Sequence, residues 1–289
     1  MNYLADEKIE EIALKANSIR ESIIEMLLEA GSGHTAGPLG MADIFATLYF
    51  HILRHDPKNP SWEKRDRVIL SNGHICPVLY ATMAHAGYFP VSELKTLRKF
   101  GSRLQGHPHK EALPGLESSS GPLGSGLSQA VGMALADRID FGRATEKFFY
   151  CFMGDGELDE GQNWEAIMLA GKEKLHNIIA IVDRNNIQID GFTEDVMPLE
   201  SLRAKWESFN WHVEEIDGHN VTAINEAIGE AQSVFEKPSV IIAHTIPGKG
   251  VAEFEHRPEW HGKPPKKEEA EMALRELRTL GGKIKAEHE

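Results

Sequence analysis

From Phe148 onward the chain alternates near-continuous apolar runs of strand length with segments of helix length, and few folds accept that pattern. The runs are Phe148–Met153, Ile178–Asp183, Trp211–Ile216 and Ser239–His244, and helices are expected between them over Asn163–Lys174, Leu199–Phe209 and Val221–Phe235. Strands apolar on both faces need cover on both faces. The pattern therefore predicts an α/β fold, a doubly wound and mostly parallel sheet with helices on each side.

Upstream, apolar residues recur at helical spacing from Ile9 to Leu27, which predicts a helix over 6–30 that stops at Gly31-Ser32-Gly33. After Gly37-Pro38-Leu39-Gly40 a second helix is expected from about 41 to 53, then a strand at Arg67–Ser71 and a helix through Ala86. Residues 101–127 are rich in Gly, Pro and Ser and lead directly into a small-residue helix, Ser128–Arg143. So long an irregular stretch inside a compact domain points to function. Residues 263–289 read as a Pro-Pro break followed by a charged helical tail. No linker-like stretch divides the chain, so 1–289 is read as a single domain.

Charge narrows the classes of partner. Lys+Arg number 31 against 44 Asp+Glu, a formal net charge of −13, which argues against nucleic acid and against an anionic membrane surface. A phosphate bound here needs a local device such as a metal, a backbone nest or a helix N-terminus. Cys76 and Cys151 sit in apolar surroundings and suggest no disulfide framework. The N-terminus has no apolar leader, and the longest apolar runs are too short to span a bilayer. A soluble, cytoplasmic protein is expected.

In an open parallel sheet, ligands bind at the carboxyl ends of the strands. Two of those ends are chemically unusual. FFYCFM runs into Gly154-Asp155-Gly156, and IIAIVDR runs into Asn185-Asn186-Ile187. Asn185 follows Asp155 by one strand–helix–strand unit, so on neighbouring strands about 4.8 Å apart both side chains emerge at one edge. A carboxylate, an amide oxygen and a backbone carbonyl are hard ligands suited to Mg²⁺ or Ca²⁺. The glycines beside Asp155 allow close approach of a diphosphate. Lys and Arg are scarce nearby, which suits a metal-neutralised diphosphate better than a cation-clamped one. Gly-Asp-Gly alone is commonly just a turn; its pairing with Asn185 carries the signal.

Four histidines lie among glycines: His34 in GSGHTAGPLG, His74 in SNGH, His107 in QGHPH and His261 in EWHG. Together they suggest a polar cage able to hydrogen-bond hydroxyls and move protons near neutral pH. A zinc site at His107-Pro108-His109 is the rival, although no spaced second pair of ligands accompanies it.

GDGELDEGQ and DRNNIQIDG resemble the thiamine diphosphate signature, and SGHTAGPLG, LSNGH, QGHP, GPLGSG and EWHG, in this order, narrow the resemblance to the transketolase family. It covers nearly the whole chain, but only the family's diphosphate-binding domain. The resemblance implies that Asp155, Asn185 and the Ile187 carbonyl hold the metal (Mg²⁺, with Ca²⁺ or Mn²⁺ as alternatives), supported by Asp183. It places Gly154, Gly156, His74 and His261 against the diphosphate and the active carbon, and Gly121, Leu123 and Gly124 against the aminopyrimidine. His34 and His107 would contact the sugar donor, and Glu160 would reach across a subunit interface in a proton relay. After His34 the family commonly has Pro-Gly, where this chain has Thr35-Ala36.

Full-length members continue with pyrimidine-binding and C-terminal domains, whereas this chain ends at Glu289. The resemblance thus implies a separate partner chain supplying those domains, an (αβ)₂ assembly, and transfer of a two-carbon ketol unit between sugar phosphates. Alternatives are a split enzyme for a branched or sulfonated sugar, a 2-oxoacid dehydrogenase α subunit, deoxyxylulose phosphate synthase, and a non-catalytic cofactor-binding module.

Overall fold

A computed structural model describes residues 4–288, so Met1–Tyr3 and Glu289 of the expected 1–289 domain lie outside the described residues. Helix α1 (Asp6–Ala30) ends where expected, at Gly31, whose left-handed backbone (φ 62°) turns its N–H back to the Leu27 carbonyl. Then follow α2 (Ala36–Gly40), α3 (Ala42–Thr47), which continues as a π-turn over Leu48–Ile52, β1 (Arg67–Leu70) and α4 (Cys76–His85). The irregular stretch leads into α5 (Ser125–Phe141), β2 (Phe149–Gly154), α6 (Gly161–Glu173) and β3 (Ile178–Arg184). A short hairpin, β4 (Ile187–Gln188) with β5 (Gly191–Phe192), precedes α7 (Thr193–Val196), α8 (Leu202–Ser208), β6 (His212–Asp217), α9 (Val221–Ser233), β7 (Ser239–His244) and α10 (Lys267–His288).

Five strands form one sheet in the order β1-β2-β3-β7-β6, every pairing parallel. Side chains alternate across it with the two-residue period of a strand. Tyr150, Phe152, Ile179, Ile181, Ile241 and Ala243 pack on one face with residues of α1, α3, α4, α9 and α10. Cys151, Met153, Ala180, Val182, Val240 and Ile242 pack on the other with residues of α5, α6 and α8. The doubly wound expectation holds, and the expected strands agree to within a residue or two. Each buried Ile, Leu, Val or Phe contributes about 1.5–3 kcal/mol of transfer free energy, so the core far outweighs any one surface ion pair in holding the sheet.

Besides the short helix α7, two elements were not expected. Gly37-Pro38-Leu39-Gly40 lies within α2 rather than in a loop; all five residues of that helix are buried. Residues 187–192 form the β4–β5 hairpin beside the sheet's carboxyl edge. The charged C-terminal segment is not a free tail either. Helix α10 buries Ala270, Ala273 and Leu277 in the first core, and the Asn17 side chain of α1 donates to the Leu277 carbonyl (3.0 Å). Among the described residues no helix is long and apolar enough to cross a membrane.

On the second face α6 lies so close to the α8–β6 connection that a Cβ at Gly171 would overlap the Phe209 carbonyl oxygen. The Trp211 indole fixes the same contact by donating to the Ile167 carbonyl (2.9 Å). Gly171→Ala should therefore destabilise the fold by about 1–3 kcal/mol, read as a lowered urea midpoint. Ala is intrinsically the better helix former by about 1 kcal/mol, so an unchanged or raised midpoint would contradict this packing.

Candidate active site

The carboxyl ends of β1, β2 and β3 open into a cavity of about 330 Å³. Gly154 pairs with Asp183 at the end of the β2–β3 ladder, and the Asp155 N–H donates to the Asp183 carbonyl (3.2 Å). This register brings Asp155 and Asn185 to the same edge, as the spacing required.

Asp155 is 1% exposed. Its Oδ1 accepts from the Gly156 N–H (2.7 Å), and Oδ2 accepts from the Asn186 N–H (2.7 Å) and from Arg184 Nη1 (3.0 Å). Asn186 adopts φ 63°, a conformation asparagine tolerates, and this kink turns the following amides back toward the strand tips. Asn185 Oδ1 accepts from the Ile187 N–H (3.0 Å), while its Nδ2 donates to Asp183 Oδ2 (2.8 Å). The Thr245 hydroxyl donates to Asp183 Oδ1. Burial, reinforced by the nearby Asp155 charge, raises the Asp183 carboxyl to about 7 against the pull of the Thr245 and Asn185 hydrogen bonds. Asp155 is also raised by burial, with Arg184 opposing. The expected scarcity of cations needs correcting: Arg184 lies against Asp155, and Glu194 (2.6 Å) and Glu200 (2.9 Å) share it.

Three imidazoles face these tips. His34 lies 4.9 Å from His74 and 5.6 Å from His261, and His74 lies 5.2 Å from His261, centroid to centroid. His107 lines the same cavity. Burial holds all four below the usual histidine range, and His34, further depressed by His261, His107 and Arg98, titrates at about 4. The loops are tied across the chain, since the Thr35 hydroxyl donates to the Lys263 carbonyl (2.6 Å) and joins the His34 turn to the segment carrying His261. That contact is what this chain makes of its departure after His34. No third ligating side chain joins His107 and His109 in a metal-sized cluster among the described residues, so the zinc alternative finds no support there.

Of the remaining expected residues, Gly121, Leu123, Gly154, Gly156 and Ile187 line the cavity. Gly124 and Glu160 do not. The Gly124 N–H is taken by Glu157 Oε1 (2.7 Å), and Glu160 is exposed, its Cβ close beneath Gly124. Beyond Gln188, Ile189 and Asp190, two further lining residues went unread in the sequence. Glu157 is buried, accepts from the Ser71 hydroxyl, the Gly124 N–H and the Gly154 N–H (3.1 Å), and so fastens the 121–126 loop to the tips of β1 and β2. Asn72 is 1% exposed, lines the cavity, and has neither side-chain oxygen nor nitrogen paired. Applying the strand-end rule to β1 as well would have found Asn72, which stands two residues before His74.

A parallel α/β sheet that gathers buried carboxylates, an amide oxygen and glycine turns at one edge defines a diphosphate-binding domain. Residues 12–282 match the family model "Transketolase, thiamine diphosphate binding domain". The 6-deoxy-6-sulfo-D-fructose transketolase subunit SqwG of Clostridium sp. (strain MSTE9) is 43% identical over 92% of this chain and 96% of its own length. One of the subunits of the apulose-4-phosphate transketolase of Phocaeicola vulgatus is 40% identical over 97% of this chain and 99% of its own length. The transketolase structure from Campylobacter jejuni superposes with a TM-score of 0.86 at 37% identity, covering 94% of this chain and 43% of that one. The chain belongs to the transketolase family, whose thiamine diphosphate-binding domain it comprises. It spans less than half the length of the single-chain transketolases it matches.

The residues fit that cofactor. A buried amide with no partner costs about 1–3 kcal/mol, and Asn72 faces the cavity where a bound group can satisfy it. Asp155, Glu157 and Asp183 are all buried there, while the one guanidinium among them is shared with two further glutamates. A divalent cation held by hard oxygens balances that excess negative charge.

The cage histidines carry a pH signature. Between the unfolded value of about 6.5 and the folded value of about 4, the unfolded chain binds a proton at residue 34 and the folded chain does not. Stability from this group is thus complete above that window and is lost as pH falls through it. The urea-unfolding free energy of the wild type relative to His34→Gln should drop by on the order of 2 kcal/mol between pH 7.5 and 4.5. A difference that does not vary with pH would contradict a buried neutral His34.

Proposed function

We propose that this chain is the thiamine diphosphate-binding subunit of a two-chain transketolase, moving a two-carbon ketol unit from a ketose phosphate to an aldose phosphate. The observation that carries the reading is the convergence of Asp155 and Asn185, on adjacent strand tips, with His34, His74, His107 and His261 in one cavity. Asp155, the Asn185 amide oxygen and the Ile187 carbonyl would hold Mg²⁺. Gly154 and Gly156 admit the diphosphate, and Gly121 and Leu123 shape the pyrimidine side, with Gly124 held behind them by Glu157. When bound, thiamine diphosphate supplies a nucleophilic carbon centre for the two-carbon fragment.

This chain's own share is binding, orientation and proton handling. Each neutral imidazole offers one N–H and one lone pair. His34 and His107 would donate to sugar oxygens as these gain negative charge, and His74 and His261 would lie against the diphosphate and the active carbon. A well-placed donor of this kind is worth roughly 3 kcal/mol of barrier. His261 Nδ1 is buried without a partner, so its hydrogen-bonding capacity is unspent within the chain.

A partner chain carrying the pyrimidine-binding and C-terminal domains, assembled as (αβ)₂, completes the site. Support comes from the near-complete coverage of relatives named as subunits. Exposed apolar side chains at Ile189, Phe192 and Met197 and on α6 at Met168 fit a surface that a partner covers, and exposed Glu160 stands at its start. Buried free thiols at Cys76 and Cys151 agree with a cytoplasmic setting. The named relatives also support a second reading of substrate, a sulfonated or branched sugar in place of a common pentose phosphate.

Calorimetry and turnover test the assignment. Asp155→Ala should abolish Mg²⁺-dependent thiamine diphosphate binding. His34→Ala should leave binding within a few-fold of wild type and lower kcat of the reconstituted pair by roughly 10²-fold. The purified chain without its partner should show under about 1% of the pair's rate, because orientation of the cofactor is then incomplete. Normal cofactor binding by Asp155→Ala, or full turnover by the lone chain, would overturn the proposal.

A further inference from the structure

At the end of the sheet opposite the candidate active site, the edge strand β6 opens with His212, whose N–H donates to the Pro238 carbonyl (2.9 Å). Strand alternation sends Val213 into the second core and leaves His212, Glu214 and Ile216 on the face that α9 covers. Glu230 of α9 meets the first two there. His212 Nε2 lies 2.9 Å from a Glu214 carboxylate oxygen and 3.6 Å from one of Glu230. One donor atom from each residue lies within 4.8 Å of the other two, and among the described residues no other three His, Cys, Asp or Glu side chains converge in this way. The charges are unbalanced. Glu215, the next residue, pairs with Arg203 (2.9 Å), whereas among the described residues Glu214 and Glu230 have no lysine or arginine and share one imidazole. A protonated ring can offset one of these carboxylates; a dication offsets both. His212 Nε2 is shielded from solvent and makes no hydrogen bond despite its nearness to Glu214, so its donor or acceptor capacity is unspent.

We propose that His212, Glu214 and Glu230 form a binding site for one divalent transition-metal ion of the Zn²⁺ type, at the far end of the sheet from Asp155 and Asn185. An ion bonded at about 2.0–2.2 Å to each donor holds neighbouring donors about 2.8–3.6 Å apart, and both separations from Nε2 fall in that range. An imidazole nitrogen beside two carboxylate oxygens suits Zn²⁺, or its neighbours Co²⁺ and Ni²⁺, over Mg²⁺, which keeps to oxygen donors and holds its water. Two donors occupy same-face positions of one strand and the third a helix packed over it, so regular backbone presents the set and no loop has to close. Glu230 is 60% exposed and gives the ion a path from solvent. Bound there, the ion clips α9 to the strand at the sheet's open edge and stabilises the folded chain as its occupancy rises. This site is independent of the transketolase reading, and its role is structural.

The test titrates Zn²⁺ into the full chain with Mg²⁺ in excess, so that sites made of oxygen donors alone are already filled. Calorimetry should find a Zn²⁺ site that His212→Gln removes. Glu230→Gln should weaken it by at least about tenfold, since even the outer partners of a metal ligand are worth that much. Mg²⁺ should compete at least about 100-fold less well. X-ray absorption at the zinc edge should show a single imidazole among oxygen neighbours, which separates this site from zinc caught by the clustered histidines of the active cavity. The thermal midpoint should rise with Zn²⁺ and fall back with EDTA in the wild type, and stay unchanged in Glu230→Gln, a substitution at an exposed helix position that the fold tolerates. Absence of Zn²⁺ binding, binding unaltered in both variants, a shell of several imidazoles, or ready displacement by Mg²⁺ each overturns the site and leaves the three side chains as an ion-pair cluster. Turnover by the reconstituted pair is not among the readouts, so failure here and failure of the transketolase reading are separate results.

Discussion

The pairing of Gly154 with Asp183 at the end of the β2–β3 ladder is the constraint on which the site depends. In a parallel pair the spacing of strand tips is fixed by backbone hydrogen bonds, so the chemistry just beyond each tip inherits a separation no loop has to find. Asp155 and Asn185 are each held by amides close by in the fold, those of Gly156 and Asn186 for the carboxylate and that of Ile187 for the asparagine. Glu157 then extends the order sideways, because one buried carboxylate accepts from the tip of β2, from Ser71 after β1 and from the loop before α5. A site built on strand ends and braced this way costs little further ordering when a ligand arrives.

Much of this was legible in the sequence, for a physical reason. Strands buried on both faces must be apolar throughout, so their ends stand out as the first polar residues: Asp155 follows β2, and Asp183 and Arg184 close β3 just before Asn185. The same logic failed where distant contacts override local preference. Glycine and proline at 37, 38 and 40 argue against a helix. Yet α2 is wholly buried, and a side chain at Gly40 would press on the Ile246 carbonyl, so close packing selects the small residue while the surrounding core supplies the helix. Glu157 reads locally as one more acidic residue after Gly-Asp-Gly; its partners lie 33 and 86 residues away. Arg184 was passed over because composition near the site looked poor in cations, whereas the geometry sets that guanidinium among carboxylates: it bonds Asp155, Glu194 and Glu200 and stands one residue after Asp183.

Burial of ionisable groups is resolved in two opposite ways within the same half of the molecule. Around Asp43 it is resolved by pairing. Burial tends to raise this carboxyl, but Arg20 and His219 overcome it and hold it at about 2, the imidazole Nδ1 lying 2.7 Å away while His219 Nε2 accepts from the Ile246 N–H (2.8 Å). In the cage the histidines have one another for neighbours and, among the described residues, no carboxylate in hydrogen-bond contact, so desolvation goes unopposed and the rings stay neutral. His219 is given a carboxylate, whereas the cage rings are left without one.

The C-terminal segment belongs to this argument as well. His261 reaches the cage because the chain after β7 returns across the sheet edge and α10 docks along α1, with Asn17 on the Leu277 carbonyl, Thr35 on the Lys263 carbonyl and the Gly248 N–H on the Ala36 carbonyl among its polar anchors. Those anchors fix the segment on either side of the Pro-Pro break, so the imidazole is positioned by helix packing remote in sequence from the tips of β2 and β3. The cage is therefore coupled to the α1–α10 contact through His34 and His261 alike, since both loops spring from that pair of helices. Negative charge at the strand tips and neutral rings facing them thus line opposite sides of one cavity.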